Sequence, residues 1–250
     1  LSYSKIRTYL ECPYKYRLRY IERIPERPKS YFRFASLIHH VLHEYHFYQK
    51  RGSLDDLLLC YERTWRGQRG ASYEVGRKIL ITYYYKMRNR SPYSLEERFT
   101  IRIRENILTG KIDRIDRTND GFCILDYKLN KNILTLKEVK DSLQLSLYAL
   151  AFFHLTGIIP SKVGFYFLRY GKLIFTKKNK KDIEKTRDLI DYVARKITRE
   201  EFHPKESKTC QQCDYKEYCS SMEDEPIWKA KTKRQTQLIF PLMILFPFHQ

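Results

Sequence analysis

Acidic residues are the scarce class in this chain: 29 Asp plus Glu stand against 48 Lys plus Arg in 250 residues, a formal net charge of +19 with a pI near 9.6. That excess lies outside ordinary solubility tuning and implies a polyanionic partner. Because 15% of the residues are also aromatic, nucleic acid fits better than an anionic membrane. A membrane-spanning run is missing too. The most apolar stretch, Leu238 to Phe248, falls short of the roughly 20 residues a bilayer requires, and Pro241 and Pro247 interrupt it. The opening LSYSKIRTYLECPYKYRLRY has no apolar core of a signal peptide. No internal repeat is present. The six cysteines do not read as a secreted disulfide framework, since three of them crowd between Cys210 and Cys219, the pattern of a metal site. A reducing cytoplasm is the expected location, and no membrane partner is expected.

The length suits one sizeable α/β core, and one domain over 1–219 followed by a tail over 220–250 is expected. Ser4 to Tyr20 reads as helical with a break before Pro13, because proline disfavours the helical conformation in the residue preceding it. From Phe32 to Gln49, Phe34, Leu37, Ile38, Val41, Leu42 and Tyr45 recur at three- and four-residue spacing, which predicts a helix with one buried face. Further helices are predicted near 54–66 and 73–89. The period then changes to two, through Phe99, Ile101 and Ile103, then Ile107 to Arg117, then Phe122 to Leu129 after the turn Asn119-Asp120-Gly121. Three consecutive antiparallel strands follow from that. A helix over 136–155, strands Val163 to Leu168 and Leu173 to Thr176, and a helix near 180–200 complete a mixed sheet with helices packed on it. In the tail, Ser220 to Pro226 is acidic, Lys229 to Arg234 basic and the remainder apolar. It is compatible with a docking peptide, a segment folded back on the core or a non-native extension.

The chemistry concentrates in Gly110-Lys111-Ile112-Asp113 on one strand and Asp126-Tyr127-Lys128 on the next. Residues two apart on a strand share a face, so Asp126 and Lys128 project together, and a hairpin can bring Asp113 beside them. Two carboxylates converging on one spot repel unless a divalent cation lies between them, and hard oxygen ligands suit Mg2+ or Mn2+. Asp126 continues the apolar run Phe122-Cys123-Ile124-Leu125, where an ionised carboxylate needs a partner or a metal. Lys128 would orient attacking water or steady the transition state. Histidines at 39, 40, 43 and 46 raise a zinc hydrolase as a rival, but no H-E-x-x-H is present. The densest basic and aromatic cluster, Tyr14, Lys15, Tyr16, Arg17, Arg19 and Tyr20, reads equally as a nucleic-acid contact or as an ordinary solvated helix.

In that order, G-x-x-D, D-x-K and Gln144-Leu145-Ser146-Leu147-Tyr148 resemble the RecB-like branch of the PD-(D/E)xK nucleases. Ala35-Ser36-Leu37-Ile38-His39 is similar to the family's G-x-x-x-H element with Ala in place of Gly, and Leu1-Ser2-Tyr3-Ser4 through Glu11-Cys12-Pro13 is similar to its opening. Ile112 stands where Pro gives the superfamily its name. The resemblance covers Leu1 to Cys219 and implies a restriction-endonuclease-like α/β core with a mixed central sheet flanked by helices. It also implies that His39, Asp113, Asp126 and the backbone carbonyl of Tyr127 bind the cation, with Lys128 as the catalytic lysine. Gln144 and Tyr148, one helical turn apart, would support the site or touch the DNA strand, with plain helix-to-sheet packing as the alternative.

Cys12 together with Cys210-Gln211-Gln212-Cys213 and Cys219 supplies four thiolates, which suit tetrahedral zinc or an iron–sulfur cluster, and spacing alone does not separate the two. One cysteine ahead of every nuclease motif and three after the last resembles the clustered RecB-like enzymes, including CRISPR-associated and AddB-type nucleases. By that resemblance a 4Fe–4S cluster joins the N- and C-terminal segments, with zinc the lesser alternative. Cys60 and Cys123 read as buried apolar thiols. The function implied is a divalent-metal-dependent deoxyribonuclease, an exonuclease or single-strand nuclease of DNA repair, recombination or CRISPR adaptation. Its expected partners are single-stranded or free-ended DNA and a helicase or CRISPR adaptation protein. The rival readings are an inactive DNA-binding module and a zinc-stabilised structural subunit.

Overall fold

The computed structural model describes residues 1–27, 30–48, 52–67 and 70–219, so the tail over 220–250 and the three readings of it lie outside the described residues. In chain order the helices are α1 (Tyr3–Glu11), α2 (Pro13–Tyr16), α3 (Ser30–Tyr48), α4 (Leu54–Thr64), α5 (Ala71–Met87), α6 (Leu136–Lys140), α7 (Leu143–Thr156) and α8 (Lys180–Thr198). The strands are β1 (Pro92–Ile103), β2 (Asn106–Thr118), β3 (Gly121–Lys128), β4 (Lys162–Phe167) and β5 (Lys172–Thr176). They divide into two compact units: Leu1–Arg7 with the described residues of 28–199, and Thr8–Arg27 with those from Glu200 onward.

The first unit is built on a five-stranded sheet in the order β1-β2-β3-β4-β5. β1, β2 and β3 form the antiparallel meander that the period-two pattern predicts, and β2 turns into β3 through Asn119-Asp120, with Thr118 opposite Gly121. Gly121 carries the positive φ of +113° that this turn requires. β4 runs parallel to β3, and a parallel step needs a crossover, which α6 and α7 supply. The single helix expected over 136–155 is two helices, because Thr135 with Glu138 caps α6 and Ser142 starts α7 with its own hydroxyl on Leu145 N. β1 begins at Pro92, ahead of the alternation at Phe99 to Ile103. Its first half is only partly buried on either face, so no period marks it.

On one side of the sheet the periodic face of α3, through Ile38, Val41, Leu42 and Tyr45, packs with Leu57 and Tyr61 of α4, Leu80 and Tyr83 of α5 and the sheet residues Leu125, Tyr127 and Tyr166. Fully burying such side chains contributes about 1.5–3 kcal/mol each. α7 is buried along nearly every face from Leu145 to Phe152, as a helix apolar all round must be.

The second unit has a small aromatic core of Tyr14, Leu18 and Tyr215, against which Cys12, Ile24, Cys213, Tyr218 and Cys219 pack. Its phenols are satisfied by main chain: Tyr14 OH donates to Tyr218 O at 3.1 Å and Tyr215 OH to Ile24 O at 3.0 Å. The Tyr16 ring stacks on Phe202 with centroids 6.0 Å apart.

Candidate metal centre and cysteine site

The ladder between β2 and β3 stops at Arg114 opposite Leu125. Beyond it the Tyr127 N–H finds the Asp113 carboxylate, donating to Oδ2 at 2.9 Å. Asp113 thereby enters the sheet as a hydrogen-bond acceptor and is held at one place. His39 on α3 approaches from the helix side, Nδ1 3.5 Å from the same Oδ2, with its ring edge-on to Tyr127. The glycine of G-x-x-D has a local reason: a Cβ on Gly110 would stand 2.4 Å from the Phe99 ring that crosses over it.

Asp126 and Lys128 share a face as their spacing predicts, with Lys128 Nζ 2.6 Å from Asp126 Oδ2. Gln144 on α7 bridges them, accepting from Lys128 Nζ through Oε1 at 2.7 Å and donating through Nε2 to Asp126 Oδ1 at 2.6 Å. Tyr148 OH donates to the same Asp126 oxygen at 3.0 Å. Gln144 and Tyr148 therefore do more than pack helix on sheet: they fix the rotamers of the acidic and the basic group together. The Lys128 ammonium also lies 4.8 Å from the Phe165 ring centroid.

Glu96 is the residue the sequence did not reveal. It falls where β1 passes from Leu95 opposite Arg114 to Glu97 opposite Ile112, and it has φ +50°, a left-handed conformation that non-glycine residues seldom adopt. Among the described residues, His39, Glu96 and Asp113 bring their ligand atoms within 4.8 Å of one another. Consecutive residues of a regular strand point to opposite faces, yet Asp113 meets His39 and Arg114 meets His46, both on α3. The only sequence signal for Glu96 was an acidic residue in an unpatterned stretch.

Burial, and next the neighbouring Asp126, push the Asp113 carboxyl well above the ordinary carboxylate range. Burial pushes the His39 imidazole down, against the upward pull of Asp126 and Glu96, which leaves it neutral and able to donate a ring lone pair. Three carboxylates facing one imidazole, with Lys128 beside them, form a site that needs a proton or a cation to be stable.

The other histidines separate. His46 Nε2 lies 2.7 Å from Tyr83 OH and 3.3 Å from Arg114, and burial first, then Arg114, holds it down to about 3. His43 pairs with Glu44 at 3.3 Å, and His40 is exposed. A zinc site built on the histidine run is thus not assembled among the described residues.

In the second unit the cluster from Tyr14 to Tyr20 divides between core and surface ion pairs. Tyr14 and Tyr16 are core residues, while Lys15 pairs with Glu11, Arg17 with Glu22 and Arg19 with Glu26, the last two at 2.7 Å. Glutamates a few residues away pair with the three cations, and the core takes the Tyr14 and Tyr16 rings. The four motif cysteines all lie in this unit, none of them in a disulfide. Cys12 caps α2 ahead of Pro13, and its sulfur accepts from Lys15 N at 3.5 Å and Lys205 N at 3.4 Å, while Cys210 accepts from Ser207 N at 3.3 Å. Cys123 is buried and Cys60 half-buried in the first unit, with burial raising both thiols, as expected of inert apolar cysteines.

Residues 1–220 match the model of the PD-(D/E)XK nuclease superfamily, and the chain belongs to that superfamily. No curated protein matches it. Solved structures sharing the fold include a candidate exonuclease from Eubacterium rectale, 15% identical, with a TM-score of 0.55 and 86% of each chain covered. No helix among the described residues is long and apolar enough to cross a membrane.

Proposed function

We propose that this member of the PD-(D/E)XK superfamily is a divalent-metal-dependent deoxyribonuclease that hydrolyses phosphodiester bonds, working on single strands or from free ends. The observation that carries the reading is the cluster of His39, Glu96 and buried Asp113, with buried Asp126 near enough to act on Asp113 electrostatically and itself paired with Lys128. The donor set fits Mg2+ or Mn2+: hard carboxylate oxygens with one imidazole, and the Tyr127 carbonyl as a further oxygen ligand. When bound, the cation supplies Lewis acidity and a water of lowered pKa. The chain's own residues do the rest. Asp113 is locked by the Tyr127 N–H, and Gln144 and Tyr148 hold Asp126, so the ligands are set before substrate arrives. Lys128, partly exposed and pinned between Asp126 and Gln144, places a positive charge where the phosphoryl oxygens gain negative charge.

The second part of the proposal concerns Cys12, Cys210, Cys213 and Cys219, which bind a 4Fe–4S cluster joining the N-terminal segment to residues 205–219. Three of the four pack on one aromatic core, and main-chain N–H groups point at two of the sulfurs. Among the described residues no three of the sulfurs lie within 4.8 Å of one another. Four thiolates on a single zinc at about 2.3 Å would stand only about 3.8 Å apart. The expected setting is DNA repair, recombination or CRISPR adaptation beside a helicase or adaptation protein, with 1–219 acting as one nuclease domain.

End-labelled single- and double-stranded DNA incubated with Mg2+, Mn2+ or chelator tests the first part: products should form with either metal and not with chelator. Cleavage that persists in chelator rejects it. For the second, protein purified without oxygen should be brown and contain iron, and Cys12→Ser should lose that iron and melt earlier. Colourless protein with stoichiometric zinc would reject the cluster alone.

A further inference from the structure

Beside the metal centre a groove of about 540 Å³ runs between α3 and the β1–β2 pair. Phe32, His40 and His43 line its helix wall, and Arg98 and Lys111 line its strand wall. The helix wall continues past the groove, because the His43 ring stacks on Phe47 with centroids 5.7 Å apart and planes at 23°. Phe32 and Phe47 are 56% and 66% exposed. At 100° per residue, positions 32, 40, 43 and 47 fall within roughly 80° of arc, one stripe on one helix face. The stripe is roughly 22 Å long at 1.5 Å per residue. His39 borders it, so the stripe passes the metal centre.

The strand wall holds two cations, Arg98 and Lys111, against one carboxylate, Glu96. Arg98 and Lys111 are directly opposed in the β1–β2 register, and like charges so placed repel. Glu96 pairs with Lys111, whereas Arg98 has no ion-pair partner among the described residues.

We propose that this groove is a binding track for one unpaired polynucleotide strand, with bases stacked on Phe32, His43 and Phe47 and phosphates on Arg98 and Lys111. Rings take bases only from an opened strand, since paired bases hide their faces in the duplex stack. Roughly 22 Å accommodates about six nucleotides at ~3.4 Å each. The track rests on the nuclease reading for its purpose and leads the strand past His39, but its binding chemistry does not depend on hydrolysis.

The test is equilibrium binding of a fluorescein-labelled 12-nucleotide DNA strand and of the matching blunt duplex to the full chain in chelator, read by anisotropy. Phe47→Ala and His43→Ala should each weaken single-strand binding roughly five- to 150-fold, the range for loss of one base–ring stack. Duplex affinity should move less than about twofold. Phe47→Trp should restore single-strand binding and Phe47→Leu should not, which separates stacking from mere apolarity. Arg98→Ala should flatten the salt dependence on the single strand by about 0.7 in log–log slope, one phosphate contact. Unchanged single-strand affinity in the ring variants, equal losses on strand and duplex, or rescue by Leu would each overturn the track. Because no metal is present, absence of nuclease activity would sink the proposed function and leave this measurement intact.

Discussion

Asp113 and Arg114 are neighbours in sequence, both buried and both charged in form, yet the protein treats them in opposite ways. Arg114 is fully enclosed and its donors are matched: Nε to Asp116 Oδ1 at 2.6 Å, one terminal nitrogen to Tyr83 OH at 2.8 Å, and the other to the Arg90 carbonyl at 2.8 Å. Asp113 receives one N–H and otherwise faces His39, Asp126 and Glu96, two of them acidic. A buried charge completed by the protein is part of the scaffold, and one left incomplete is waiting for something the chain does not contain. The two are also physically linked, since Tyr83 OH meets Tyr127 OH at 2.8 Å and the Tyr127 N–H holds Asp113.

The sharpest way to break this contrast is to remove the incomplete side. Asp113→Ala or Lys128→Ala should lower cleavage of end-labelled DNA by at least about 10²–10⁴-fold, the scale of a lost charge-stabilising or acid–base group, while the melting temperature holds or rises. Wild-type rates in either variant would end the assignment of these residues.

Removing the completed side should do the reverse. Arg114→Met leaves Asp116 buried without its cation, a loss of about 3–5 kcal/mol. In a chain of this size that lowers the melting temperature by on the order of 10 °C. Calorimetry showing no loss would mean that the Arg114 network is dispensable and the contrast empty.

The smallest effect is a pH dependence. The folded-state pKa of Asp113 lies above its unfolded value, so without a cation the folded protein keeps a proton that the unfolded chain releases. That contribution to stability is full below about pH 4, where a free aspartate titrates, and is lost as pH rises through the raised pKa of Asp113. Thermal melts in chelator should show this decline. Added Mg2+ should cancel it, and Asp113→Asn should both flatten it and raise the chelated melting temperature by a few degrees, about 2–4 °C per kcal/mol. A slope identical in wild type and Asp113→Asn would place the proton elsewhere.

Much of the scaffold is legible along the chain because its causes are local. Period two predicts β2 and β3, three- and four-residue spacing predicts α3, and Asn119-Asp120-Gly121 predicts the hairpin that sets Asp126 near Asp113. The shared face of Asp126 and Lys128 needs only strand geometry, and the single turn between Gln144 and Tyr148 needs only helix geometry. What lay beyond reach depends on distant groups. That Arg17 and Arg19 pair with Glu22 and Glu26, and that Tyr14 joins the Tyr215 core, is written nowhere in the order of residues 14–20. The histidines at 39, 43 and 46 look alike until α3 docks and turns one to carboxylates, one to an open groove and one to a buried arginine.

By itself, then, the sequence determined the order of the elements, the polarity of the surface and which side chains could share a face, since those follow from composition and from repeats of two and 3.6 residues. Only the tertiary structure decided that Glu96 joins the site, that the β2–β3 ladder ends where Asp113 is needed, and which buried charges are completed. Those outcomes turn on the last few ångströms between residues far apart in the chain. Coulombic and desolvation energies change steeply over that distance, and residue order carries no record of it.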